Sequence, residues 1–181
     1  MKYKNVEFDA IVATPGCGKS YVCDKYPKIL VDVDEVRLRC KYIVPEDITR
    51  KELEATKGDR PFQRRAGHSE YINNLYIKLD QYLEEGKTLI AAPHPEAIDY
   101  LVKNKIKFCF VYPNKEMKET IRKRMEQRGN PLETIKSNDD MFDEFYKQNT
   151  KEKNSVIHYE FGEGEYLEDI LIKFDFEFKN K

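Results

Sequence analysis

From one end to the other, the chain alternates short apolar runs with stretches in which apolar residues recur every three or four positions. Phe8-Asp9-Ala10-Ile11-Val12-Ala13 is the first run and predicts a buried strand. It breaks into a Gly-rich turn, from which a short helix is expected to run from near Gly18 to a stop before Pro27, because a residue preceding proline is pushed out of the helical region. Lys28 to Val33 reads as a second strand around Ile29, Leu30 and Val31. Val36, Leu38, Arg39 and Cys40 suggest a short helix over Glu35 to Ile43. The polar stretch from Pro45 to Gly67 reads as a substrate arm, about residues 44–67.

Gly67 to Glu85 is the clearest helix, with Ile72, Leu75, Tyr76, Leu79 and Leu83 on one face and Gly86 to end it. Thr88 to Ala92 predicts a third strand closed by Pro93-His94-Pro95, Glu96 to Val102 a helix, and Ile106 to Tyr112 a fourth strand stopped by Pro113. Met117, Ile121 and Met125 recur every four residues in an amphipathic helix over Lys115 to Arg128, with Arg122, Arg124 and Arg128 on its other faces. Gly129-Asn130-Pro131 breaks it, and a further helix follows from about Leu132 to Gln148. Ser155 to Phe161 reads as a fifth strand and Gly164 to Phe174 as a closing helix, leaving Asp175 to Lys181 unassigned. Strands alternating with helices along the whole chain predict an α/β fold with a parallel sheet in three layers.

Composition narrows the class. At 181 residues the chain has the size of a single domain with one well-buried core. Its 32 Lys and Arg nearly balance 33 Asp and Glu, so no bulk positive field draws it to nucleic acid and any such contact requires a local patch. No apolar run approaches membrane-spanning length, and Met1-Lys2-Tyr3-Lys4-Asn5 lacks the apolar core of a signal peptide, which together predict a cytoplasmic protein with no membrane partner. Cys17, Cys23, Cys40 and Cys109 form no Cys-x-x-Cys pair and read as free thiols. Cys17 lies where an anion-binding loop would lower a thiol's pKa, although a small residue filling a loop position is the simpler reading.

The turn after the first strand carries the chemistry. Ala13-Thr14-Pro15-Gly16-Cys17-Gly18-Lys19-Ser20 follows a buried strand, opens a helix and ends in Gly-Lys-Ser, the layout of a phosphate-binding loop. Gly16 and Gly18 allow backbone conformations that a Cβ forbids and let backbone N–H groups approach an anion. Lys19 can reach the β- and γ-phosphates as a point charge, and the Ser20 hydroxyl is the expected Mg²⁺ ligand. The expected ATP-binding set is therefore Thr14, Gly16, Cys17, Gly18, Lys19, Ser20 and Tyr21. The alternative is a chance Gly-rich turn between a strand and a helix. Asp32 and Asp34 fall at the carboxyl end of the second strand, on the side where ligands of open α/β sheets sit. One of them could serve the metal and the other take a proton from an acceptor hydroxyl, or either could simply cap the following helix.

In Thr14-Pro15-Gly16-Cys17-Gly18-Lys19-Ser20 the sequence resembles the P-loop nucleoside and nucleotide kinases, including small bacteriophage-encoded ones. That resemblance implies the P-loop NTPase fold, with a five-stranded sheet in the order 2-3-1-4-5, a single kinase domain over 1–181 and a helical lid at about 115–150. It also implies ATP and Mg²⁺ as cofactors. Asp-x-Asp after strand two resembles the equivalent segment of shikimate- and gluconate-type kinases, and Asp34-Glu35-Val36-Arg37 is similar to the segment of bacteriophage polynucleotide 5′-kinases that holds the base and an arginine. By that resemblance Asp34 is the general base, Arg37 a ligand of an acceptor phosphate and Asp32 the metal-side carboxylate. Many such kinases carry an acid at the end of the third strand; here that strand ends Ala91-Ala92-Pro93-His94, which strengthens Asp32. His94, at the strand's carboxyl end and between two prolines, could touch substrate, but as a lone histidine it reads as a structural hydrogen-bonding residue.

Arg122, Arg124 and Arg128 fall where the family has its lid, and Arg124 and Arg128, one helical turn apart, are the expected clamps on the transferring phosphoryl group. A solvated face paired with nearby glutamates is the competing reading for each. In Arg60-Pro61-Phe62-Gln63-Arg64-Arg65, Arg64 and Arg65 are the candidate acceptor-phosphate ligands, with Phe62 or Tyr71 to stack on a base and His68 nearby; a solvated loop is the alternative. The leading expectation is a kinase for a nucleoside, nucleotide or related small molecule. A polynucleotide kinase acting on a DNA or RNA 5′-hydroxyl or on a hydroxymethylated base in DNA, and a non-catalytic nucleotide-binding regulatory module, are the alternatives.

Overall fold

The structure is a computed structural model of the chain and describes residues 2–3, 6–33, 48, 52, 68–148 and 157–174. Five strands, β1 (Ala10–Ala13), β2 (Leu30–Asp32), β3 (Thr88–Ala91), β4 (Phe108–Pro113) and β5 (Ile157–Phe161), form one parallel sheet in the spatial order β2-β3-β1-β4-β5. This is the expected order. β1 lies at the centre, with Ile11 opposite Ile90 of β3 on one side and Cys109 of β4 on the other. All four of its residues are 0% exposed, which explains an unbroken apolar run where a half-buried strand would alternate.

Because side chains alternate along a strand, Ala10 and Val12 enter one core and Ile11 and Ala13 the other. On the first face α2 (His68–Glu84) and α3 (Pro95–Lys103) supply Leu75, Leu79, Tyr100 and Leu101. On the second face α1 (Lys19–Lys25), α4 (Lys118–Gln127), α5 (Leu132–Gln148) and α6 (Leu167–Lys173) supply Val22, Ile121, Met125, Ile135 and Ile170. Each fully buried aliphatic side chain of this kind contributes about 2 kcal/mol. The chain is therefore a three-layer α/β fold.

Several boundaries differ from the expectation for local reasons. α3 begins at Pro95 itself, since proline fits the first helical position, where its missing N–H would have no partner. The single helix expected over Lys115 to Arg128 is a 3₁₀ turn, Lys115–Met117, followed by α4, with Met117 buried at the junction. The closing helix starts at Leu167 rather than near Gly164, because Gly164 has φ +80° and the Glu165 side chain accepts the Gly162 N–H at 2.8 Å, holding a turn ahead of the helix. A two-residue antiparallel ladder, Lys2–Tyr3 with Val6–Glu7, precedes β1 and was not expected. The helix expected over Glu35 to Ile43 and the arm at about 44–67 lie outside the described residues, save for single positions.

Candidate functional site

β1 ends at Ala13, and the chain turns through Thr14, Pro15, Gly16, Cys17 and Gly18 into α1 at the carboxyl edge of the sheet. Gly16 has φ +81° and Gly18 φ +98°, a region that costs a residue with a Cβ roughly 1–2 kcal/mol. Gly16 is also crowded, since a Cβ there would stand 3.2 Å from both Cδ1 and Cγ2 of Ile121. α4 thus packs directly on the loop. Two long-range backbone bonds tie the loop down: the Thr14 N–H donates to the Val111 carbonyl at 3.2 Å, and the Leu167 N–H donates to the Cys17 carbonyl at 2.8 Å.

Inside the turn the Lys19 ammonium donates to the carbonyls of Ala13 at 3.0 Å and Thr14 at 3.3 Å. Its charge is therefore held over the start of the loop by neutral acceptors, weaker partners than an anion would be. The Ser20 hydroxyl donates to Oδ2 of Asp32 at 3.2 Å. β2 is not β1's neighbour; α1 crosses β3 to reach it, and this crossover lets the first turn of α1 meet the end of β2. Asp32 is 6% exposed. Thr14 Oγ1 is buried with no hydrogen-bond partner among the described residues, an arrangement that costs about 1–3 kcal/mol.

Arg124 reaches the loop from α4. Its Nη1 donates to the Gly16 carbonyl at 3.3 Å, and its guanidinium lies 4.3 Å from the centroid of the Tyr166 ring. Arg128 is exposed at the end of α4 and near enough for its charge to act on Cys17. Burial raises the pKa of the Cys17 thiol, and this outweighs the opposing pull of the Lys19 and Arg128 charges. The lowered pKa entertained for Cys17 is thus replaced by a raised one: its thiol packs into the core, and what it offers the loop is backbone.

The structure gathers Thr14, Gly16, Cys17, Gly18, Lys19, Ser20, Asp32 and Arg124 at one end of the sheet. Tyr21, grouped with them by sequence, is 58% exposed, and its ring meets Lys25 Nζ at 5.6 Å. Arg122 is engaged elsewhere, donating to Asp139 at 2.6 and 2.9 Å and to Glu119 at 3.3 Å, so it braces α4 against α5. The backbone of His94 caps α3, its carbonyl accepting the Ile98 N–H at 3.1 Å. Asp34, Arg37, Arg60, Phe62, Arg64 and Arg65 lie outside the described residues, as do the side chains of His68 and Tyr71.

Sequence reasoning missed Ile121 and Tyr166 as neighbours of the loop. Ile121 carried a core signal through its four-residue spacing from Met117 and Met125, but no pattern said that its methyls would face Gly16. Tyr166 follows a Gly-Glu pair and carried no signal at all. Among the described residues no helix is long and apolar enough to cross a membrane.

No protein-family profile matches the chain, and no curated protein matches it in sequence. Among solved structures it is similar to an uncharacterized protein from Eubacterium ventriosum, at 16% identity over 91% of this chain and 95% of that one, with a TM-score of 0.46. A likeness that distant carries no argument.

Proposed function

We propose that the protein is an ATP- and Mg²⁺-dependent kinase that transfers the γ-phosphoryl group to a nucleoside, a nucleotide or a related small molecule. The observation that carries this reading is the contact of the Ser20 hydroxyl with the buried Asp32 carboxylate, 3.2 Å apart, next to a Lys19 ammonium held over the glycine turn. Mg²⁺ is usually held by one or two protein oxygens together with substrate phosphates, and a hydroxyl beside a carboxylate fits that role. β3 ends at Ala91 and is followed by Ala92 and Pro93, so the carboxylate that meets Ser20 comes from the end of β2, at Asp32. When bound, Mg²⁺ neutralises charge on the β- and γ-phosphates.

The chain's own residues account for the remaining work. Lys19 exchanges the neutral Ala13 and Thr14 carbonyls for anionic phosphate oxygens, so that both partners of each hydrogen bond are charged. Gly16 and Gly18 give the anion access to backbone N–H groups. Arg124 and Arg128 supply guanidinium groups from α4 to the charge that develops on the transferring group. Asp34, two residues past Asp32, takes the acceptor proton, while Arg37, Arg64 and Arg65 hold an acceptor phosphate.

The test is ADP release from ATP and Mg²⁺ across a panel of nucleosides, nucleoside monophosphates and 5′-hydroxyl oligonucleotides. Stimulation by one small-molecule class supports the reading. Stimulation confined to oligonucleotides moves it to a polynucleotide kinase, and ATP binding with no acceptor-stimulated turnover replaces it with a nucleotide-binding module.

A further inference from the structure

We infer that Tyr166 is a positioning residue for the phosphate-binding cation Arg124, its ring serving as the platform that fixes the direction in which the guanidinium addresses the glycine turn. The inference rests on the kinase reading above. An arginine side chain has several rotatable bonds, and its planar head is useful to a phosphate only if its fork already points the right way. Here two contacts fix that head: the Tyr166 ring at 4.3 Å and the Gly16 carbonyl at 3.3 Å from Nη1. The second is made to the loop itself, which leaves the ring as the support from outside the loop.

The backbone that carries the ring is itself anchored. The Tyr166 N–H donates to Asp169 Oδ2 at 2.9 Å, and the next residue, Leu167, donates its N–H to the Cys17 carbonyl at 2.8 Å. Both neighbours that bear carboxylates are tied to other elements. Glu165 accepts from the Gly162 N–H at 2.8 Å, from the Tyr159 hydroxyl at 3.2 Å and from Lys173, while Glu168 accepts from Lys25 at 2.6 Å and the Tyr26 hydroxyl at 2.8 Å. The segment from Gly162 to Asp169 therefore forms a strap pinned to β5, to α1 and to the loop. A Cβ built on Gly18 would stand 3.8 Å from Tyr166 Cδ1, so the ring borders the loop's second glycine as well. Tyr166 stays 44% exposed, which matches a platform better than a core residue.

The experiment is calorimetric binding of magnesium tripolyphosphate, and separately of ATP with magnesium, to the full chain at fixed ionic strength. The variants are Tyr166→Leu, Tyr166→Phe, Arg124→Lys, Arg124→Gln and the Tyr166→Leu/Arg124→Gln pair, with a melting curve for each. Tyr166→Leu is expected to weaken both ligands alike, by about five-fold, the scale of one exposed cation–π contact. Tyr166→Phe, which keeps the ring face, restores binding, and the double variant is no weaker than Arg124→Gln alone. Should Tyr166→Leu fail to fold, Arg124→Lys decides, since it keeps the charge and loses the planar stack: a loss of similar size supports the inference and wild-type affinity overturns it. A loss confined to ATP means that the ring meets the base instead, and a double variant in which the losses simply multiply means that the two residues act independently; either overturns the inference. Wild-type protein that binds neither ligand removes the kinase reading and this inference together, whereas normal wild-type binding with an unaffected Tyr166→Leu removes this inference alone.

Discussion

Gly16→Ala isolates the contact between the glycine turn and the core. Two terms add. Gly16 sits at φ +81°, where a Cβ costs roughly 1–2 kcal/mol. The new methyl would also stand 3.2 Å from Cδ1 and from Cγ2 of Ile121, and Ile121 is 1% exposed, so it can give way only by disturbing its neighbours. Overpacking of a buried site costs about 1–3 kcal/mol, and a single methyl belongs near the lower end. The expected sum is about 2–4 kcal/mol. For a chain of this length 1 kcal/mol corresponds to about 2–4 °C, so Tm should fall by roughly 5–15 °C. Urea unfolding at constant m supplies the free energy, and the same substitution in an Ile121→Val background separates the terms. Removing Cδ1 relieves one of the two close contacts, so the penalty should shrink by about 0.5 kcal/mol or more while the backbone share persists. Equal penalties in both backgrounds would show that Ile121 does not press on the loop, and a total below about 1 kcal/mol would refute the account of Gly16 altogether.

Lys19→Ala should abolish detectable binding of ATP with magnesium, and Ser20→Ala should reduce turnover at saturating ATP more than it reduces stability; unchanged steady-state rates in either would remove the residue from the site. Arg122→Ala should lower Tm by loosening α4 against α5, since it leaves the Asp139 carboxylate, 14% exposed, without its guanidinium, and should leave ATP affinity as it was; a melting curve and a calorimetric titration check the two halves. Glu165 and Glu168 are held below the ordinary carboxyl range, the first chiefly by the Gly162 N–H and Lys173, the second chiefly by Lys25 and Tyr26. A depressed carboxyl stabilises fully above its unfolded value of about 4.3, and that stabilisation is lost as pH falls through the lower folded value. Tm should therefore drop on acidification below about pH 4.5 more steeply in wild type than in Glu165→Gln/Glu168→Gln, and parallel curves would contradict the assignment. Burial raises the Cys17 thiol and pushes Cys109 up to about 12, so iodoacetamide at pH 8 should leave both unmodified in the folded chain and label both in denaturant, as peptide mass mapping would show.

The limits of what was readable follow the range of the forces involved. Buried strands were legible because a strand covered on both faces needs apolar residues throughout, as in Ala10 to Ala13, and helices because one buried face imposes a period near 3.6, as in Leu75 and Leu79. Boundaries slipped where a side chain or a proline intervened: Pro95 starting α3, Met117 buried in a tighter turn, and Glu165 holding the turn before α6. The three arginines of the 115–128 segment looked alike in sequence. What separates Arg122 from Arg124 is which partner each meets, Asp139 from α5 or the Gly16 carbonyl with the Tyr166 ring.

By itself the sequence determined the alternation of strands and helices and the glycine turn that ends in Lys19 and Ser20. These depend on backbone preferences and burial patterns that repeat within a few residues. Only the tertiary structure decided that Ser20 meets Asp32, that Gly16 lies under Ile121 and that Tyr166 carries Arg124. Those meetings depend on the order β2-β3-β1-β4-β5 and on the crossovers that produce it. Residues far apart in the chain are brought together by packing against a common sheet, and no local pattern records which of them will touch.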